Sequence, residues 1–97
     1  MNTKAAPKAS TADDIRRVVR RVEAMLIEKN AQYGDSALNP VRIFSRADPA
    51  EQIKCRIDDK LSRIARGSAL DDEDVVLDLA GYCILLLIAR DRAGRAG

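Results

Sequence analysis

Residues 75–89, VVLDLAGYCILLLIA, decide the fold of this 97-residue chain. From Leu79 onward the stretch is apolar on every side of a helix, which is typical of a helix at the centre of a bundle or one shared between subunits. Its one charged residue is Asp78. A carboxylate in so apolar a segment is costly to bury unless it is paired, hydrogen-bonded or bound to a cation. Asp78 is therefore the first candidate for a functional residue.

A first helix is predicted ahead of this segment, from Ala12 to about Gln32. Thr11 followed by Asp14 fits an N-cap with an acid three residues later. Apolar residues recur at three- and four-residue steps and form one stripe. The stripe consists of Ile15, Val18, Val22 and Met25 or Leu26. This pattern predicts a helix that packs along one side only.

A second helix is predicted to begin at Asp48, which fits an N-cap and is followed by Pro49 in the first turn. Glu51 would complete a capping box, and Gly67 is a natural stop. Its apolar stripe consists of Ile53, Ile57, Leu61 and Ile64. The short turn that follows predicts antiparallel packing of this helix against the next one.

The third helix is predicted from near Leu70 or Asp71 to about Arg90. Acidic residues crowd its first turn, where the helix dipole favours negative charge. They are Asp71, Asp72, Glu73 and Asp74. The predicted fold class is thus all-α, a small antiparallel helical bundle of three main helices.

The size of the chain suggests that the bundle is completed by oligomerisation. Residues 1–11 are predicted to be a disordered basic tail, residues 12–90 a single helical domain, and residues 91–97 a flexible tail. The roughly 80 residues that remain build a marginal core for a monomer. We therefore expect a homo-oligomer, a dimer or higher. The 46% apolar content with three aromatic residues favours helices over a β-sandwich.

Composition excludes several classes of protein. The chain has no His, which excludes His-based catalysis and His-containing metal sites. No signal peptide is recognised, and the uncharged run over residues 79–89 is too short to cross a bilayer. We expect a cytoplasmic protein with no membrane partner. Cys55 and Cys83 are predicted to be buried thiols, with a disulfide as the alternative.

A nucleic-acid partner is not expected. The formal net charge is only +2, and aromatic residues are not interleaved with the basic ones. The first helix does carry a set of arginines that lie mostly off its apolar stripe. They are Arg16, Arg17, Arg20 and Arg21. They form either a solvated face or a surface that faces phosphates.

Carboxylates of the second and third helices are predicted to meet. Asp58 falls at the border of the buried face, and Glu51 lies one heptad earlier on nearly the same line. Asp74 and Asp78 share a stripe that continues into Tyr82. Four carboxylates around one cavity repel each other unless a cation or basic side chains intervene. Oxygen-only ligands suit Mg²⁺ or Mn²⁺, so these four acids are the candidate ligands of a Mg²⁺ cofactor.

Each acid also has an architectural interpretation. Asp78 is a candidate for a buried ion pair with Lys60 or Arg63 that holds the bundle in register. The other acids have local alternatives, namely side-chain pairing for Asp58, a helix start for Asp74 and capping for Glu51. The sequence leaves both interpretations open.

The connection between the first two helices, residues 33–47, is long for a small helical domain, and such connections are often functional. Tyr33 is placed to stack on a base, and Asp35 to accept a hydrogen bond from a sugar or a base edge. Lys29, one turn earlier, is placed to reach a phosphate. The alternative is that Gly34 ends the helix as a C-cap while Tyr33 packs under the loop.

Three segments of the chain carry a family resemblance. They are residues 28–35 (EKNAQYGD), 56–64 (RIDDKLSRI) and 78–82 (DLAGY). In this order and spacing they resemble the small phage-encoded "nucleotide modification associated" helical domains. These in turn resemble the MazG-like all-α nucleoside triphosphate pyrophosphatases. The resemblance covers roughly three-fifths of the chain, and it implies a helical bundle, usually oligomeric, that binds or acts on nucleotides.

The resemblance also implies roles for individual residues. In the pyrophosphatases, acids on two neighbouring helices hold Mg²⁺, which activates water to cleave between the α- and β-phosphates. Asp78 and Asp58 are by this resemblance the candidate catalytic residues. The candidate nucleotide-binding residues are Lys29, Asn30, Tyr33, Asp35, Lys60, Arg63 and Tyr82. The chain departs from the family pattern at Val75, where a partner acid is expected, and it lacks a doubled E-E-x-x-E pattern in the second helix.

Three functions compete at this point. The first is a Mg²⁺-dependent nucleoside triphosphate pyrophosphohydrolase of phage or prophage type, in which the metal activates the attacking water. The second is a non-catalytic nucleotide-binding protein that sequesters its ligand, which the missing acid at position 75 favours. The third is a small phage-type inhibitor or interaction protein that acts on a host defence system through a host protein partner.

Overall fold

The computed structural model describes residues 8–67 and 73–96, with the side chains of residues 73, 74 and 96 left aside. It contains three helices, and the described residues form no strand. The helices are α1 (Thr11–Tyr33), α2 (Pro49–Ala65) and α3 (Glu73–Ala96). The predicted all-α bundle is confirmed. Among the described residues, no helix combines the length and the apolar character that crossing a membrane requires.

The first helix starts one residue earlier than predicted, with Ser10 instead of Thr11 as its N-cap. The Ser10 backbone is extended, and its hydroxyl accepts a hydrogen bond from the Asp13 amide at 3.1 Å. The Asp13 carboxylate accepts from the Ser10 amide at 3.3 Å, which closes a capping box. The prediction was wrong because two overlapping patterns, one starting at Ser10 and one at Thr11, both place an acid three residues later.

The first helix ends in a left-handed turn, as the C-cap interpretation of Gly34 requires. Gly34 has φ 63°, and its amide donates to the Asn30 carbonyl. Asp35 also adopts a left-handed backbone, with φ 61°. Its carboxylate accepts a hydrogen bond from the Asn39 side chain, so this acid stabilises the turn that follows α1. The Gly34 prediction is confirmed, and Asp35 has a structural partner.

The second helix begins at the predicted boundary, but the Glu51 side chain does not complete the predicted capping box in the described structure. The Asp48 side chain accepts from the Glu51 amide at 2.8 Å, and Pro49 occupies the first turn. Glu51 makes an ion pair with Lys54 at 3.1 Å, one turn along the helix. The helix ends at Ala65, and Gly67 follows with φ 78° and donates its amide to a carbonyl of the last turn.

The third helix lies between the other two and contacts both, with the larger contact to α2. Met25 and Leu26 of α1 lie against Gly81, and Lys29 reaches Asp78. Residue numbers that rise along α1 therefore match numbers that fall along α3, so these helices are antiparallel. The predicted central position of the third helix is confirmed.

The second helix is also antiparallel to α3. Lys60 pairs with Asp78, while Arg56 lies at the same cavity as Tyr82, one turn further along α3. Helices α1 and α2 consequently run in the same direction. Lys29 and Lys60 lie at the same level of α3, so after α1 the chain must run back to the start of α2 at Pro49. The eleven steps from Pro49 to Lys60 span about 17 Å. This return accounts for the long connection over residues 34–48.

Few apolar residues are buried in one chain. Among the described residues the buried apolar side chains are Val22, Ile53, Val75 and Ala89. Part of each predicted stripe is exposed: Ile15 to 58% and Leu61 to 49%. Helical periodicity identifies the apolar side of a helix, but it does not show how far a neighbour covers that side.

The predicted burial of the two cysteines was wrong, because both are exposed, and both are free thiols. Cys83 lies on the side of α3 that also carries the exposed Leu87. A helix that is apolar on all sides gives no periodic signal for the side that its neighbours cover.

The third helix continues to Ala96, so residues 91–96 are helical where a flexible tail was expected. The predicted start of the third helix, Leu70 or Asp71, lies outside the described residues.

Candidate functional site

Asp78 links all three helices through two ion pairs. Its Oδ2 lies 3.2 Å from the Lys60 ammonium of α2, and its Oδ1 lies 3.4 Å from the Lys29 ammonium of α1. The Asp78 and Lys60 side chains are only 22% and 18% exposed, whereas Lys29 is 52% exposed. The ion pair with Lys60 was one of the two interpretations of this acid. The pair with Lys29 was not expected.

An open cavity of about 450 Å³ lies beside this carboxylate, between α1 and α3. A volume of this size is within the range of small-molecule sites. Its lining residues are Met25, Leu26, Lys29, Asn30, Tyr33, Ser36, Ala37, Arg56, Asp78, Gly81, Tyr82 and Leu85. The cavity thus combines an apolar floor with polar groups from α1, α2, α3 and the turn after α1.

The charge of the cavity favours an anion. Two of its lining residues, Lys29 and Arg56, are cationic, and the one acidic lining residue, Asp78, already pairs with Lys60. Lys29, Arg56 and Lys60 together carry three positive charges against the one carboxylate, which leaves a formal charge of +2. Arg56 is exposed, and it forms no hydrogen bond or ion pair with another residue in the described part of the chain. Its five N–H groups are therefore available to a ligand.

Two aromatic rings border the same space. Tyr33 ends α1 and is 61% exposed, and Tyr82 on α3 is half-buried. The exposure of Tyr33 is incompatible with packing under the loop, which was the alternative for this ring. Asn30 and Ser36 add neutral hydrogen-bonding groups to the lining. Rings stack on planar ligands, and amides and hydroxyls orient them.

The structure brings together part of the predicted nucleotide-binding set. Four of its seven members line the cavity, namely Lys29, Asn30, Tyr33 and Tyr82. Lys60 contributes through its ion pair with Asp78. Asp35 borders a second depression on the other side of α1 and bonds to Asn39. Arg63 is exposed on α2 and does not line the cavity.

The described acids do not fit a magnesium site. Asp58 is exposed, Glu51 pairs with Lys54, and Asp78 is held by two ammonium groups. No three His, Cys, Asp or Glu residues within the described ranges come close enough to hold a metal ion. The Asp74 side chain, a fourth predicted ligand, lies outside what the structure describes. A carboxylate that already neutralises two cations is a poor ligand for a third.

Two polar lining residues were missed by reasoning from the sequence. Arg56 lies in the RIDDKLSRI segment but was not singled out, and Ser36 follows the YGD segment directly. The available signal was helical geometry, because Arg56 lies four residues before Lys60 and therefore on the same side of α2. Ser36 carried no signal, since its position depends on the two left-handed residues that precede it.

Comparison of the chain with protein-family models, with curated proteins and with solved structures finds no match.

Proposed function

We propose that this protein binds a nucleotide in the cavity between α1 and α3 and does not hydrolyse it. The supporting observation is the convergence of Lys29 and Arg56 with Tyr33 and Tyr82 around one open space of about 450 Å³. A nucleotide joins a planar aromatic base to an anionic phosphate, so it matches both parts of this lining. Cations recognise phosphate, and aromatic faces accept bases.

Lys29 is the residue that the ligand would recruit. It is the more exposed of the two lysines at Asp78, with 52% of its side chain accessible, and its contact of 3.4 Å is the longer one. A phosphate in the cavity can take over this ammonium while Asp78 keeps Lys60. Arg56 completes a two-pronged cationic site on the opposite wall. The base would then lie between Tyr33 and the α3 wall that contains Tyr82.

Binding is favoured over hydrolysis because the Asp78 carboxylate already pairs with two lysines. Hydrolysis by the pyrophosphatase route needs acids that hold Mg²⁺ at the phosphates. The described acids are exposed or paired, and position 75 is a valine in the buried core. A protein that retains its nucleotide unchanged would act by sequestering it. Docking on a host protein stays a prediction from the sequence.

Calorimetry with defined ligands tests the proposal. The probes are the 5′-mono- and triphosphates of adenosine, guanosine, cytidine and thymidine, each with and without Mg²⁺. We expect at least one to bind with Kd of about 100 µM or tighter, equivalent to about 5.5 kcal/mol. Adenosine without phosphate and inorganic pyrophosphate without base should both bind more weakly than the best nucleotide. The proposal is wrong if none of the nucleotides binds.

Substitution of the cavity cations gives the first structural prediction. Lys29→Gln and Arg56→Gln should each weaken nucleotide binding about tenfold, because a charge-assisted hydrogen bond to phosphate is lost. Lys54→Gln is the matched control, since Lys54 lies on the exposed side of α2 and pairs with Glu51. Equal losses in all three variants would mean that binding depends on overall charge and not on this cavity.

The fate of the bound nucleotide separates binding from catalysis. Asp78→Asn should leave nucleotide affinity unchanged or raise it, because Lys29 is released for the phosphate. Pyrophosphate release from a triphosphate by the wild-type protein, abolished in Asp78→Asn, would instead establish a hydrolase. The measurement is chromatographic separation of triphosphate from monophosphate after incubation with Mg²⁺.

A further inference from the structure

An apolar face flanks the crossing of α1 and α3 on the side opposite the nucleotide cavity. We define the α1–α3 apolar face by five residues, Ile15, Val19, Ile27, Ile84 and Ile88. It includes a groove of about 440 Å³, whose charged lining residues are Glu23, Asp35 and Arg92. The groove is predominantly apolar, with few polar groups inside it, so its chemistry differs from that of the cavity.

Helical geometry explains why the two depressions are separate. Val22 is buried and Leu26 half-buried where α1 meets α3. At 100° per residue, Val19 and Ile27 fall to one side of this contact line, and Met25 and Lys29 fall to the other. The cavity and the groove therefore lie on the two flanks of a single helix crossing. Leu26, Asn30 and Leu85 lie on the crossing itself and line both depressions.

This face is left uncovered within one chain. Ile15, Val19 and Ile27 are 58%, 56% and 64% exposed. Every residue from 11 to 21 is exposed, so the apolar side chains in the first half of α1 are left open to solvent. An isolated amphipathic helix of this length is marginal in water and gains its stability from packing. The apolar side of α1 thus requires a partner.

We propose that a second copy of this chain covers the α1–α3 apolar face and forms a two-fold dimer in which the two α1 helices cross antiparallel near Val19. A homo-oligomer is expected from the short chain alone; the structure adds the face and the orientation. A two-fold interface must be complementary to itself. An apolar stripe along α1 meets this condition, because each helix supplies the surface that the other needs.

The charges beside the stripe match an antiparallel crossing. Arg16 lies three residues before Val19 and Glu23 four residues after it, and both flank the stripe on the same side. An antiparallel crossing at Val19 therefore brings Arg16 of one copy opposite Glu23 of the partner subunit. In a parallel two-fold arrangement each residue lies at the height of its own equivalent, so Arg16 of one copy and Glu23 of the other, seven residues apart, would not meet. The pattern of charge thus selects the orientation.

The oligomeric state of the full chain tests this proposal. Sedimentation velocity and light scattering, without added nucleotide, should give a mass of about 21 kDa, twice the 10.7 kDa of one chain. Val19→Glu and Ile27→Glu should each shift the protein to monomer, since a dimer of either variant would bury two unpaired carboxylates, one from each copy. Circular dichroism of each variant should show that the helices are retained.

The control is Leu87→Glu, which places the same charge on the outer side of α3. Leu87 is 58% exposed, like the residues of the face, but it points away from α1. This variant should remain a dimer. A monomeric wild type at millimolar concentration, or a dimer that persists in Val19→Glu and is lost in Leu87→Glu, would overturn the proposal. Neither outcome bears on nucleotide binding, which is measured separately.

Discussion

At the scale of single residues, Asp78 explains both what the sequence predicts and what it leaves open. A lone acid in an apolar helix needs a partner, and the structure supplies two lysines, from α1 and α2. The sequence pattern indicated this acid, and Lys60 was one of the two partners predicted for it. Lys29 was assigned to a phosphate instead. Its reach to Asp78 depends on the crossing of α1 over α3, which residue spacing within α1 does not define.

The two ion pairs of Asp78 should contribute unequally to stability. Asp78→Asn should lower the free energy of unfolding by about 1–3 kcal/mol, because Lys60, only 18% exposed, loses its counterion. A double-mutant cycle should give a larger coupling of Asp78 to Lys60 than to Lys29. Urea denaturation measures both quantities. Asp58→Asn, an exposed carboxylate on α2, should change stability by less than about 0.5 kcal/mol.

At the scale of the helices, the ends follow from local chemistry that the sequence largely reveals. Asp48, Gly34 and Gly67 were each identified as helix boundaries and have these roles. The start of α1 was misplaced by one residue. The prediction of a flexible tail after Arg90 was wrong. The Ala and Arg residues of this segment are good helix formers, and cations at a helix C-terminus are favourable.

The N-cap of α1 can be tested by comparing adjacent residues. Ser10→Ala should destabilise the start of α1 by about 1 kcal/mol, since it removes the acceptor for the Asp13 amide. Thr11→Ala should have little effect, because Thr11 is the first helical residue and not the cap. Amide hydrogen exchange over the first turns of α1 measures the difference. A larger loss of stability in Thr11→Ala than in Ser10→Ala would show that Thr11 is the N-cap, as the sequence predicted.

The crossing of α1 and α3 depends on a residue without a side chain. A Cβ at Gly81 would lie 3.0 Å from side-chain atoms of both Met25 and Leu26. Gly81→Val should therefore destabilise the protein by about 1–3 kcal/mol through overpacking, and it should reduce the cavity. Gly94→Ala is the control in the same helix, where no atom lies nearby, and it should stabilise by up to about 1 kcal/mol. Thermal unfolding compares them.

At the scale of the whole molecule, the sequence predicts the fold class but not the coverage of its surface. The apolar stripes of α1 and α2 are real, yet Ile15 and Leu61 remain exposed in one chain. The thiols expected in the core are on the outside. Both errors have one cause: residue periodicity reports that a surface is apolar, whereas its neighbour is determined by helix length, crossing position and other chains.

A dimer held through α1 predicts stability that depends on concentration. The unfolding midpoint of the wild-type protein in urea should rise when protein concentration is raised tenfold, because association favours the folded state by mass action. Ile27→Glu should show no such dependence. A wild-type midpoint that is constant from about 1 to 100 µM would show that folding is complete in one chain.

The cavity is built mainly from α1 and α3, which are the first and the last of the three helices to be synthesised. A nascent chain on the ribosome therefore carries Lys29 and Tyr33 long before the wall that contains Asp78 and Tyr82 exists. If the cavity binds a nucleotide as proposed, binding must wait until the third helix has been translated, and truncated chains that lack this helix would bind none.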